Sequence, residues 1–96
     1  MKSDASIRSV TPVITTQPLS VVLARNIRAE RGRRLWKQEE LADLLGWGRS
    51  TVGAVETGRR GVGIDDLPVL CRVFDIPLSK LFEGADPAAL AALKIS

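Results

Sequence analysis

Residues 38–57 read QEELADLLGWGRSTVGAVET, and the spacing of small and apolar side chains within them decides the fold. Leu41, Ala42 and Leu45 stand at i, i+1 and i+4, on one face of a helix over about Gln38–Leu45. Gly46 ends that helix, because the left-handed backbone needed there strains a residue with a Cβ. Val52 and Val55 recur at i, i+3 on a second helix, from about Arg49 to Thr57. Gly48 stands at its cap and Gly58 just beyond its end. Two short helices joined by a tight turn pack at a steep angle when a small residue lies where they cross, and Ala42 is that residue. A second helix held out in this way is free to enter a DNA major groove.

Outward from this core, Glu39 and Glu40 occupy the first turn of the earlier helix, where negative charge complements the helix dipole. The usual Ser or Thr cap is missing, and Lys37 stands in its place. Upstream, Ser20 reads as the N-cap of a helix running to about Arg31 or Gly32. Leu23 and Ile27 are its core contacts, Arg31 follows one turn later, and Gly32 is the stop signal. Arg33 to Trp36 form a basic connector. Downstream, Leu67, Leu70, Cys71 and Phe74 keep the period of a half-buried helix. Pro68 is tolerated in a first turn, which places the start at Asp65 or Asp66. Leu78, Leu81 and Phe82 mark a short fifth helix ending at Gly84. Asp86-Pro87 opens a last helix over AALAALKI.

Residues 1–18 are rich in Ser and Thr, carry Pro12 and Pro18, and show no helical period. They are expected as a flexible tail. Val13 to Thr16 would form a strand only if another chain paired with it. The expected fold is therefore all-α. A compact five-helix unit covers residues 19–84, and residues 85–96 add a C-terminal helix or tail.

Composition narrows the function. The chain has 96 residues, a net charge of +3 and no His. Residues 1–60 hold 11 Lys/Arg against 6 Asp/Glu, net +5, whereas residues 61–96 hold 3 against 5, net −2. The basic excess lies with the two central helices and the one before them, as a phosphate-facing surface requires. One Cys and no His cannot supply the four ligands of a structural zinc site. They cannot form an internal disulfide, nor a Ser-His or Cys-His catalytic pair. No apolar run approaches the ~20 residues of a membrane span, and the N-terminus lacks the apolar stretch of a signal peptide. The expectation is a cytoplasmic protein that is not an enzyme, uses no cofactor and has no membrane partner.

The matching pieces of a larger pattern run from Leu23 to Gly84. They are Ile27, Arg31, Gln38-Glu39-Glu40-Leu41-Ala42, Leu45-Gly46, Arg49-Ser50-Thr51-Val52, Val55-Glu56-Thr57-Gly58-Arg59-Arg60, Ile76-Pro77-Leu78 and Leu81-Phe82. In this order and spacing the chain resembles the phage repressor and Cro family, the Xre-like helix-turn-helix proteins. The resemblance covers about two-thirds of the chain. It implies five compact helices, binding to operator DNA as a dimer, and transcriptional regulation. Three positions depart from the family pattern. Leu35 stands where Gly is usual, Glu30 where an apolar residue is usual, and Gly53 with Ala54 where longer polar side chains are usual.

In this motif the first side chains of the recognition helix reach base edges. Arg49 is the candidate for a bidentate contact to guanine O6 and N7, with phosphate contact as its alternative. Ser50 is open between base and phosphate, and Thr51 between base contact and capping of its own helix. Ala54 could touch a thymine methyl, and Gly53 would let the helix sit close to the groove. The rival reading turns these small residues toward a partner chain. So little direct readout leaves part of the specificity to DNA shape. The family uses the position of Gln38 to hold a phosphate, aided by the helix N-terminus. Arg33, Arg34 and Lys37 before it, and Arg59 and Arg60 after the recognition helix, are expected on phosphates. Family positions set Arg31 against Glu56 as a structural ion pair. Trp36 and Trp47 are expected in the core rather than stacked on bases, and Cys71 as a small hydrophobe.

The sequence thus predicts sequence-specific binding of double-stranded DNA by a homodimeric repressor or regulator of phage or bacterial type. Two rivals stand beside it. One is an antitoxin-type protein whose residues 1–18 or 85–96 also hold a protein partner. The other is the DNA-binding half of a longer phage repressor. For the dimer contact, three surfaces offer themselves: Leu90, Leu93 and Ile95; the region of Leu78 and Leu81; and the tail. Lys2 and Arg8 suggest a minor-groove arm.

Overall fold

The computed structural model describes residues 17–93. The expectations placed on residues 1–16, on Lys94 and on Ile95 lie outside them. Six helices follow one another: α1 Leu19–Arg33, α2 Gln38–Leu45, α3 Arg49–Glu56, α4 Asp66–Phe74, α5 Leu78–Leu81 and α6 Pro87–Ala92. No helix among the described residues is long and apolar enough to cross a membrane.

Helix α1 buries Val22, Leu23, Ala24 and Ile27 along one stripe. Both of its ends differ from expectation. Ser20 is not the cap: Pro18 holds that position in extended backbone, and no side chain caps the turn. Val21 and Val22 donate directly to the Pro18 carbonyl. Nor does Gly32 stop the helix. It lies inside α1, and the left-handed residue is Leu35, at φ 58°. There the Leu35 N–H donates to Gly32 O at 3.0 Å and the Trp36 N–H to Arg31 O at 3.2 Å. This closes the orphan carbonyls of the last turn.

Helix α2 starts with half of a capping box. The Lys37 N–H donates to Glu40 Oε1 at 2.7 Å. It ends at Gly46, φ 74°, and the Trp47 N–H returns to Ala42 O at 2.9 Å. Helix α3 follows after Gly48 in extended backbone. Its end is held by the Thr57 hydroxyl, which donates to Gly53 O at 2.8 Å. Helix α4 starts at Asp66, so that Pro68 falls in its first turn. Asp86 Oδ1 caps α6 by accepting from the Ala88 N–H at 3.1 Å.

The core unites Val22, Leu23 and Ile27 of α1 with Leu41, Ala42 and Leu45 of α2 and Val52 and Val55 of α3. Leu70, Phe74, Leu81, Phe82 and Ala85 close it from the other side. Each large side chain so enclosed contributes about 1.5–3 kcal/mol. Asn26 locks α1 to the end of α5, its Nδ2 donating to Leu81 O at 2.7 Å and Glu83 O at 2.9 Å. Leu81 is thereby internal, and Leu78 and Leu90 pack half-buried against the core, while Leu93 is exposed. Trp36 and Trp47 are half-buried against the core rather than enclosed. Trp36 stacks on Phe74 with centroids 6.0 Å apart. Cys71 is half-buried on α4, and burial pushes its thiol pKa up, away from reactivity.

An open groove of about 410 Å³ runs between the start of α1, the α3–α4 loop and Phe82. Leu19, Val21, Val62, Ile64 and Leu67 line it, and Ile64 is 80% exposed.

Candidate nucleic-acid interface

Helix α3 turns Val52, Val55 and Glu56 inward. At 100° per residue, Ser50 and Ala54 then face away from the core, Arg49 and Gly53 lean toward α2, and Thr51 leans toward the loop that follows. The contacts agree with this. A Cβ on Gly53 would meet Gln38 Oε1 at 3.5 Å. Arg49 Nε lies 3.9 Å from Glu39 Oε2. Arg60 Nη1 lies 3.5 Å from Thr51 Oγ1. Ser50 is exposed, and Thr51 and Ala54 are half-buried. Thr51 makes no cap for its own helix.

Three helices are fixed to one another by Glu56. Its carboxylate accepts from Arg31 Nε at 2.7 Å and Nη2 at 3.0 Å, and from Gln38 Nε2 at 3.1 Å. Arg31 Nη1 also donates to Trp36 O at 2.7 Å. The hydrogen bond to Glu56 raises the Arg31 pKa, outweighing the opposite effect of burial. Glu56 ties α1 to α3 and α2 to α3, so the tilt of α3 is set from its buried side. Gln38, expected on a phosphate, has its Nε2 engaged here. The residue is exposed, and its amide nitrogen has a second N–H beyond the one given to Glu56.

The arginines before α2 divide. Arg34, expected on a phosphate, is engaged within the fold, with its side chain 26% exposed. Its guanidinium donates to Glu30 O at 2.7 Å, Glu30 Oε1 at 2.9 Å and Phe74 O at 2.6 Å. It also lies over the Phe74 ring, 5.0 Å from the centroid, and over the Trp36 ring at 5.6 Å. Three of its five N–H groups are thus engaged, and the one on Phe74 O ties the end of α1 to α4. Arg33 pairs with the other Glu30 oxygen, yet more than half of its side chain is exposed. Glu30 itself is only 4% exposed. Burial would raise its pKa, but the Arg34 hydrogen bond and the charges of Arg33 and Arg34 prevail and hold it below the usual carboxylate value.

The remaining cations stay at the surface. Lys37 is exposed at the start of α2. The Arg59 and Arg60 N–H groups both donate to Ala54 O, at 2.9 and 3.1 Å, which folds the loop back against α3. Arg59 Nε reaches only the Thr57 hydroxyl. Neither Arg59, Arg60 nor Lys37 enters an ion pair among the described residues. The outward face of α3, exposed at Arg49 and Ser50 and half-buried at Thr51, Gly53 and Ala54, is therefore bordered by cations on two sides. Sequence reasoning gave Glu39 no part in this surface beyond the helix dipole. The one signal for it was its position beside Gln38, at the end of α2 nearest Arg49.

A family model described as a helix-turn-helix domain matches residues 22–81. The chain belongs to the helix-turn-helix family. Control protein C.SmaI of Serratia marcescens is 33% identical over 60 residues, which cover 62% of this chain and 71% of that protein. Among solved structures, the restriction-modification controller protein C.AhdI from Aeromonas hydrophila is similar at a TM-score of 0.60 with 35% identity, over 65% of this chain and 94% of its own. A hypothetical transcription factor, NHTF from Neisseria, is similar at a TM-score of 0.65 with 31% identity, over 80% of this chain and 86% of its own. The match spans α1 to α5, so α2 and α3 are the helix-turn-helix pair and α3 is the recognition helix. DNA binding for transcriptional regulation is the activity of this class of regulator, and of this chain with it.

Proposed function

We propose that the chain binds operator DNA as a homodimer, each protomer laying α3 in the major groove, and so represses or otherwise controls transcription from the bound promoter. Arg49, Ser50, Thr51 and Ala54 face the base edges, with Arg49 donating to guanine. Lys37, Arg59 and Arg60 meet phosphates on the flanks, Arg33 joins them from the end of α1, and Gln38 offers the second N–H of its amide nitrogen and the N-terminus of α2. Arg34 takes no part. The observation that carries this reading is the exposed face of α3 bordered by surface cations, although acidic groups close by engage Arg31, Arg33 and Arg34. Likeness to the restriction-modification controller protein C.AhdI supports genes of a restriction-modification system as the regulated target. The groove whose apolar lining leaves Ile64 80% and Val21 45% exposed supports this face as the seat of the second copy.

Selection of bound fragments from random DNA tests the reading. A two-fold symmetric site with half-sites one helical turn apart is expected. Arg49→Ala should relax the preference at one position of each half-site, a loss of roughly 1–3 kcal/mol there, and leave random-duplex binding largely intact. Equal weakening on operator and random duplex would remove the base-contact role.

A further inference from the structure

The outward line of α3 carries short side chains. Ser50 and Ala54 form its middle and Gly53 lies beside them, so few atoms of this helix can reach a base. The longest reach is at the corner where the starts of α2 and α3 meet. Lys37, Gln38, Glu39 and Arg49 line one shallow depression there. Glu39 Oε2 stands 3.9 Å from Arg49 Nε, and both side chains are more than half exposed. A full negative charge thus sits within a surface otherwise suited to phosphates. The needs of α2 do not account for it, because Glu40 already supplies a first-turn charge and accepts the Lys37 N–H.

We propose that Glu39 is a specificity-determining residue that positions Arg49 for a base and opposes its capture by a phosphate. This rests on the DNA-binding reading above and adds a residue to it. Glu39 takes the Nε edge of the guanidinium, leaving the two terminal amino groups for guanine O6 and N7. On a random duplex no guanine meets Arg49, and the next partner available is a phosphate oxygen. Glu39 competes for the guanidinium and repels that phosphate. A like charge about 6 Å from a phosphate in water is worth roughly three-fold in affinity. The penalty falls on nonspecific binding, so the ratio of operator to random affinity rises.

The test uses the full chain, a selected operator and a random duplex of equal length, each titrated at several salt concentrations. Glu39→Gln is expected to tighten random-duplex binding about three- to ten-fold and to steepen its log–log salt slope by up to about one per protomer. Operator binding should change less than about three-fold, and the guanine preference assigned to Arg49 should blur. Asp43→Asn makes the same charge change one turn further along α2 and should move both duplexes alike. In an Arg49→Ala background, Glu39→Gln should alter the ratio no further. A wild-type chain that prefers its operator, with the ratio unchanged by Glu39→Gln or changed no more than by Asp43→Asn, overturns the role of Glu39 alone. A wild-type chain that prefers no duplex overturns the DNA-binding reading and the role of Glu39 with it.

Discussion

Glu56 and Glu30 are the two buried acidic residues among those described; Glu56 holds Arg31, and Glu30 collects Arg33 and Arg34, which the sequence alone places on phosphates. The pair of Glu56 with Arg31 is enclosed, with side-chain exposures of 2% and 17%. Removing one partner of a buried pair strands the other charge, at roughly 3–5 kcal/mol. Arg31→Ala is therefore expected to lose most of the stability of so small a domain, read as a lowered urea midpoint. Glu30 acts through pH as well. Its folded pKa is depressed, so its contribution is present above the ordinary value of 4.5 and is lost as pH falls below it. Glu30→Gln should destabilise by about 1.5–3 kcal/mol at neutral pH, the usual range for hydrogen bonds to a charged group. It should also flatten the acid limb of the stability profile. An unchanged acid limb in urea titrations from acid to neutral pH would show that Glu30 is not its source.

The turn between α1 and α2 passes through Leu35 in the left-handed conformation, with 89% of the residue exposed. A leucine gains nothing there from burial and bears the steric strain of a Cβ at positive φ. Leu35→Gly should stabilise by about 0.5–1 kcal/mol, the relieved strain exceeding the entropy that glycine adds to the unfolded chain. The check is a thermal midpoint raised by a few degrees. The family's usual Gly at this position points to the turn, but Gly32 nearby draws the expected helix end too early. The elements that were legible owe it to strong local signals: Gly46 and Gly48 around the α2–α3 turn, Asp86-Pro87 before α6, and the apolar period of α4. Other features were settled by contacts far apart in sequence. Arg34 looks like a phosphate ligand because nothing local reveals that Glu30 turns inward, or that the Phe74 carbonyl lies within reach. Ser20 loses the cap to Pro18 because the chain enters α1 earlier than the Ser signal suggests. The Arg31–Glu56 pair was legible only through family positions, since its members lie 25 residues apart.

At the scale of the whole molecule, charge and apolar surface serve different ends. Lys37, Arg33, Arg59 and Arg60 are proposed as about four phosphate ligands per protomer. A dimer should therefore show a log–log salt slope of roughly −7. A slope shallower than about −3 would leave these side chains without their assigned partners. The apolar groove is the surface proposed for association. Ile64→Glu changes a side chain that is already mostly in solvent, so the monomer should fold as before. Sedimentation should then show a monomer at concentrations where the parent chain dimerises, and operator binding should weaken at least about ten-fold. A variant that still sediments as a dimer would move the interface elsewhere. The anchoring of α3 by Glu56 from behind has a practical corollary for redesign. Since Arg31 and Gln38 hold the rod by its inner edge, positions 49, 50 and 54 can be exchanged as an interchangeable cartridge, while position 53 stays small beside Gln38. New operator preferences could then be grafted in without rebuilding the chassis that carries them.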